Sequence, residues 1–422
     1  MSGPGATSRA DPAGTVASAA RSSADRMRRW KTVLRPPAPD DGDGLASALC
    51  RPRHLDALLL LAVAVLLAYG AMLVSSATAR LPGGYLPFLQ RQLVAIAAGL
   101  VLAGLAACLR PRVLRIAVLV GYALSVLLLL AVIPLGTTVS GAHSWIRLGG
   151  GFSLQPSEAA KLTLIATIAL WFAERQHART DRGTRTGDFW GALAIAALPL
   201  MLVLVQPDVG TVLVMCVTVA LVLVQAGASW RLLAGLLLLG ATAAVLVVHA
   251  GLVASYQLDR FTAFLHPEAD PLGVGYNTAQ SVLAIEHGGV SGLGLFHGPA
   301  TQGGYVPEQR ADFVFSVAGE ELGFVGAAGL IVALGVVVWR LLSTAARCVE
   351  PFDRLLCVGV ASWFAMQGFE NIGMSMRLVP VTGVPLPMVS YGGSSMVACL
   401  VAVGLVVGAR SRALQRQPFG SG

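Results

Sequence analysis

The sequence predicts an all-α integral membrane protein: a bundle of about ten transmembrane helices with a large outer loop between spans seven and eight. Three observations predict it. Hydrophobic residues make up 55% of the 422 and charged residues only 12%, and the mean hydropathy of +0.71 lies far above that of a soluble globular chain. Apolar stretches long enough to cross about 30 Å of hydrocarbon, roughly 17 to 25 residues each, recur along most of the sequence. The basic residues are unequally divided: of 30 Lys and Arg, 23 fall on one side of these stretches and six on the other. Because Lys and Arg stay on the cytoplasmic side of short loops, both termini are expected inside.

In chain order, residues 1–55 are rich in Ser, Ala, Gly, Pro, Arg and Asp and lack sustained apolar periodicity. They predict a disordered cytoplasmic tail with too little apolar surface to offset its chain entropy. The tail has no short apolar core with a cleavage site, so the first span is expected to remain as an anchor. Spans are expected at 56–77, 91–109, 116–136, 157–174, 189–206, 208–228, 231–253, 313–339, 355–374 and 394–410, followed by a cytoplasmic tail at 411–422. The outer loops at 137–156 and 254–312 are long, and a connection of the second length calls for a site or for structure of its own. Within it, "YNTAQSVLAIEHGG" sets Ala279, Val282, Leu283 and Ile285 near helical spacing, which predicts an amphipathic helix that lies on the membrane surface or caps the bundle.

Composition also narrows the function. The net charge of +8 is accounted for by the inside-basic topology and by contact with anionic membrane lipid, so it is not a nucleic-acid signal. Six cysteines, all in spans or on the inner side, show neither metal-ligand spacing nor a disulfide framework. No internal repeat is visible, which disfavours transporter folds built from two homologous halves.

Ionisable residues at or within the spans are the candidate site residues, because they are expensive there. Glu158 and Lys161 stand at i and i+3 on a helix starting near Pro156, and read either as an ion pair that fixes packing or as part of a cavity. Asp208 follows "QP" at an outer junction, where it caps the sixth span or lines a site. Asp312, in "YVPEQRADFVF", opens the eighth span with Arg310 two residues before it, and again the choice is between a helix cap and a functional carboxylate. Glu320, about 80° around an ideal helix from Asp312, is placed to share its cavity, whereas Glu321 faces away.

Five stretches in order resemble the SEDS family of membrane proteins, the RodA and FtsW type: "GAHSWIRLGGGFSLQPSEAAKL", "QPDVGT", "DPLGVGYNTAQS", "PEQRADFVFSVAGEELGFVG" and "NIGMSMRLVPVTGVPLPMVSYGGSS". The resemblance runs from about residue 56 to 410. It implies ten spans with both termini inside, in the cytoplasmic membrane of a bacterium. It implies glycosyl transfer that polymerises lipid II, an undecaprenyl-pyrophosphate-linked precursor, into a nascent glycan strand on the outer face. The family's essential Asp falls at Asp312. A base there suits the chemistry, because the acceptor hydroxyl is a poor nucleophile and the pyrophosphate leaving group needs no acid. Positive charge for the pyrophosphate is expected from Arg147, Arg260, Arg310 or Lys161, or from a divalent cation, Mg or Mn, held on the diphosphate. Trp145 and the "VSYGGSS" residues Ser390, Gly392 and Gly393 complete the candidate substrate contacts, the latter in a rigid Pro-rich outer loop.

The sequence departs from the family pattern at Ser144, where many members carry Arg, at Arg310 and Ala311, and at Arg377, where Gly is frequent. The family works with a class B penicillin-binding protein, a transpeptidase with one membrane helix, and Ala361, Gly368 and Gly373 would let such a helix approach closely. "LGLFHGPATQGGYVPEQ" looks closer to the RodA branch, which serves cell elongation and shape, than to the FtsW branch, which serves division. A lipid flippase or a scaffold without chemistry is the alternative. Transport would call for charges at mid-depth, and here they cluster outward.

Overall fold

A computed structural model describes residues 56–139, 142–149, 152–177, 185–249, 260, 262, 264–265 and 274–415. The expected tails lie outside these residues, except that the last helix continues through 411–415. Twelve helices and three strands are described: α1 (Ala57–Ala77), α2 (Leu86–Ala107), α3 (Pro111–Leu135), β1 (Thr137–Val139), β2 (Ala142–Gly149), β3 (Phe152–Leu154), α4 (Pro156–His177), α5 (Thr186–Val205), α6 (Val209–Gln225), α7 (Trp230–His249), α8 (Val274–Gly288), α9 (Pro299–Gly303), α10 (Val314–Arg347), α11 (Pro351–Ser375) and α12 (Gly393–Gln415). Every expected span falls on a helix. Six of them, α1, α2, α3, α5, α10 and α12, are long and apolar enough to cross a membrane by length and composition. The chain is a multi-pass membrane protein.

Helix α11 is central, and it packs against α4, α6 and α10. Its Leu355, Leu356, Cys357, Val360, Trp363 and Phe364 are fully buried. Ala361, Gly368 and Gly373 are buried as well, with Gly368 facing Leu334 and Gly373 facing Val379. These small residues therefore serve close packing within the bundle rather than offering a face to a partner helix. Helices α2 and α12 lie close together, because a Cβ on Gly404 would run into the backbone of Ala103. At the end of the bundle where α1 starts, Asp56 caps α1 through the Leu59 N–H (3.2 Å). The same carboxylate takes Arg340 of α10 at 2.6 Å and Arg410 of α12 at 2.9 Å, joining three helices at one buried point.

Three features add to the expected plan. The stretch between α3 and α4 holds a small antiparallel sheet of order β1-β2-β3, in register through Thr137 with Trp145 and Arg147 with Ser153. Helix α8 caps the bundle by packing on α10; its Gly275, Thr278, Ser281, Ala284 and Gly288 are buried, Ser281 donating to Ser375 O of α11 at 2.8 Å, while Leu283 is exposed. Of the expected apolar stripe, Ile285 packs on Gly319 and Leu283 does not, and Gly288 sits on the backbone of Gly319. Lastly, α10 is broken at Gly323 (φ 65°, ψ −167°), a conformation open essentially to glycine alone. The interrupted ladder is completed by the turn after α8. Leu293 N–H and Gly294 N–H donate to Glu320 O and Glu321 O, and Phe324 N–H and Val325 N–H donate to Gly289 O and Val290 O, at 2.9 to 3.2 Å.

Candidate active site

A cavity of about 540 Å³ opens between β2, the start of α2, the start of α6, the 305–312 loop and the irregular stretch from 380 to 393. Each element delivers its side chains for a local reason. On β2, Trp145 and Arg147 share one face because strand side chains alternate, and both line the cavity with Ser153 opposite Arg147. Pro207 ends α5 and leaves Asp208 as the N-cap of α6, its Oδ1 accepting from Thr211 N–H at 3.1 Å. Gln155 Nε2 holds the other oxygen at 3.3 Å. Asp208 therefore both caps and lines. Burial pushes its carboxyl upward, against the Thr211 hydrogen bond.

Asp312 does not cap its helix. α10 begins at Val314 with Phe313 as its N-cap residue and no side-chain cap bond, so the carboxylate is free to face the cavity wall at Gly383, where a Cβ would lie 3.5 Å from Oδ2 and 3.9 Å from an Arg260 nitrogen. Asp312 is half-buried, open to the cavity and enclosed by protein elsewhere. This enclosure, reinforced by the like charge of Glu308 and opposed by Arg260, pushes its pKa from 3.8 up to about 7.

The wall carries four arginines, Arg91, Arg147, Arg260 and Arg310, against three carboxylates, Asp208, Glu308 and Asp312. Arg91 and Arg310 both stand over the Phe88 ring, at 6.0 and 5.3 Å from its centre, and Tyr391 meets that ring edge-on at 5.6 Å. Arg310 reaches Glu308 at 3.4 Å, and Arg260 donates to Thr382 O at 3.3 Å. The excess of guanidinium over carboxylate suits an anionic ligand that offers several oxygens. Among the described residues no three His, Cys, Asp or Glu side chains gather as a metal site.

Of the residues singled out from sequence, Trp145, Arg147, Asp208, Arg260, Arg310, Asp312, Gly392 and Gly393 line this cavity. Glu158, Lys161, Glu320 and Ser390 do not. Lys161 Nζ bonds Glu158 Oε1 at 2.8 Å and Gln367 Oε1 at 2.5 Å and lies 5.1 Å from the Trp363 ring. The first turns of α4 face α11, so this pair is an interior packing ion pair. Glu320 is fully buried and accepts from Ala300 N–H (2.7 Å), Thr301 N–H (2.8 Å) and the Thr301 hydroxyl (2.6 Å). It caps α9, a helix that was not legible from sequence, so it is turned away from Asp312. Ser390 is buried and hydrogen-bonded to backbone. Arg377 lies outside the wall, beside a small separate hollow. Sequence reasoning missed Arg91, Gln92, Glu308, Thr382, Gly383 and Tyr391. Arg91 gave a usable signal, a charge at the start of a span, but such a residue reads equally as a topology marker.

Fold and site together define a multi-pass helical membrane protein with a cationic cavity at one end of its bundle. The chain belongs to the FtsW/RodA/SpoVE family of cell cycle proteins, whose profile matches residues 56–414. It is 35% identical over 354 residues to the peptidoglycan glycosyltransferase MrdB of Escherichia coli K12, covering 84% of this chain and 93% of that one. It is 39% identical over 283 residues to the stage V sporulation protein E of Bacillus subtilis 168, covering 67% and 75%. Among solved structures, a chain of a peptidoglycan synthase complex that coordinates polymerization and crosslinking matches at a TM-score of 0.72 and 33% identity, over 85% of this chain and 98% of that one. The Thermus thermophilus rod shape determining protein RodA matches at 0.61 and 31%, over 84% and 96%.

Proposed function

We propose that this chain is a peptidoglycan glycosyltransferase that polymerises lipid II on the outer face of the cytoplasmic membrane of a bacterium, with Asp312 as the general base. One observation carries the assignment of the base: a carboxylate not used as a helix cap faces a cavity walled by four arginines. The acceptor's 4-hydroxyl oxygen attacks the anomeric carbon of the donor. The bond from that carbon to the diphosphate oxygen breaks, its electron pair leaves with the diphosphate, and the hydroxyl proton passes to Asp312. A single displacement inverts the anomeric centre. The arginines of the wall stabilise charge developing on the diphosphate. A divalent cation there would take most of its ligands from phosphate oxygens, since the described residues of the wall offer carboxylates but gather no protein cage.

Four points support this reading: the outward clustering of charge, the family, the named activity of the E. coli relative, and the synthase complex in which a structural neighbour works. A class B penicillin-binding protein is the proposed partner. Elongation is the proposed setting, on the likeness of the 293–309 stretch to the RodA branch.

The test is purified protein with its transpeptidase partner, supplied with lipid II and read as glycan length on a gel. Asp312→Asn keeps size and shape but cannot accept the proton, and the expected loss is about 10² to 10⁴ in rate. A variant that reaches the membrane at normal level and polymerises at wild-type rate would refute the base. Absence of polymer from the wild type with any partner or cation would shift the reading to a flippase or scaffold.

A further inference from the structure

The loop that brings Arg310 and Asp312 to the cavity is fastened by three successive backbone carbonyls. Arg310 O accepts from Tyr391 N–H at 2.9 Å, Ala311 O from the Ser390 hydroxyl at 2.5 Å, and Asp312 O from Asn371 Nδ2 at 2.7 Å. Asn371 gives a second N–H to Val384 O at 2.8 Å, so one amide spans from the Asp312 backbone to the stretch that carries Thr382 and Gly383, the wall against which the carboxylate lies. Ser390 is itself locked, its oxygen accepting from Leu386 N–H at 2.8 Å. Asn371 is 0% and Ser390 4% exposed, and neither lines the cavity. They touch the chemistry only through the backbone they hold.

We infer that Asn371 and Ser390 are positioning residues for glycosyl transfer, which aim the Asp312 carboxylate by clamping the carbonyls of Ala311 and Asp312. The inference rests on the reading of Asp312 as base. The backbone dihedrals at 311 and 312 set where the carboxylate points, and each clamp restrains the peptide plane next to them. A shift of about 1 Å in a reacting group lowers the rate by up to about 10². Sequence position gives no hint of this, because both donors lie more than fifty residues after Asp312.

The experiment compares purified wild type, Ser390→Ala, Ser390→Thr and Asn371→Ala with a control, Ser281→Ala. The Ser281 hydroxyl also donates to a backbone carbonyl, Ser375 O at 2.8 Å, but to none of the carbonyls of the 310–312 loop. Each protein is assayed with its transpeptidase partner and lipid II for kcat, KM, Tm and the pH dependence of kcat. Ser390→Ala and Asn371→Ala should lose about 10- to 100-fold in kcat with KM for lipid II changed by less than about twofold. Ser390→Thr, which keeps the hydroxyl, should recover most of the rate. Ser281→Ala should lower Tm as much as Ser390→Ala and leave kcat alone. The acid limb of kcat should move to lower pH in Ser390→Ala, because a freed carboxyl reaches more water. A purely structural bond would instead lower Tm and leave the limb where it is. If Asp312→Asn is inactive while Ser390→Ala and Asn371→Ala keep the kcat of Ser281→Ala, this inference fails and the base stands. If Asp312→Asn is fully active, the base itself fails. Should Asn371→Ala not reach the membrane, the Ala and Thr variants of Ser390 decide alone.

Discussion

As general base, Asp312 works only in its ionised form, and its surroundings push its pKa from 3.8 up to about 7. With a pKa of about 7, roughly nine-tenths of the free enzyme carries the carboxylate at pH 8 and roughly one-tenth at pH 6, so kcat/KM should fall about tenfold across those two units. An aspartate at its ordinary value would leave the rate flat over the same range. The causes can be separated by mutation. Burial is the largest and Glu308 the next, so Glu308→Gln should move the acid limb to lower pH without restoring an ordinary carboxylate. Arg260 pulls the other way, and Arg260→Gln should move the limb to higher pH. The assay is the initial rate of lipid II polymerisation with lipid II well below KM, from pH 5.5 to 8.5 at constant ionic strength. A wild-type kcat/KM that stays level down to pH 5.5, or a limb that moves upward in Glu308→Gln, would refute this account of the site.

Two further outcomes concern the bundle. Lys161→Met leaves Glu158 buried without its cation, at a cost of about 3–5 kcal/mol. The Tm in detergent should fall sharply, and adding Glu158→Gln should recover much of the loss; an unchanged Tm in the single variant would contradict the buried pair. Gly323→Ala forces a side chain into a glycine-only conformation and against the backbone of Gly292, so it should destabilise the protein by at least about 1–3 kcal/mol. Wild-type thermal stability in that variant would contradict the break in α10.

The helices were legible because apolar length is a local property. The segment expected at 189–206 is α5 (Thr186–Val205), and the one at 208–228 is α6 (Val209–Gln225). Asp312 was legible as a candidate because a charge before an apolar run is costly, and the family motif narrowed it further. Whether it capped a helix was decided only by where α10 starts. Glu320 was misplaced because its partners, Ala300 and Thr301, belong to a short helix with no periodic signal. Ser390 was singled out but misread as a substrate contact, and Asn371 was passed over. A hydroxyl that grips a carbonyl and one that grips a substrate look the same in sequence, and only the fold shows which oxygen lies opposite. The cationic wall is assembled from Arg91, Arg147, Arg260 and Arg310 on four separate elements, so its sum could not be seen from any one stretch.

The turn after α8 precedes α10 in the chain, so the piece that completes the helix's interrupted ladder is synthesised before the helix that needs it. In a bilayer each backbone group left open costs several kcal/mol, and the residues flanking Gly323 would expose two amides and two carbonyls without that turn. The turns of α10 around Gly323 therefore have their backbone groups satisfied only where residues 289–294 already wait for them. What hydropathy counts as one autonomous span is half of a two-part wall, and its insertion is an assembly step rather than the partition of a single segment.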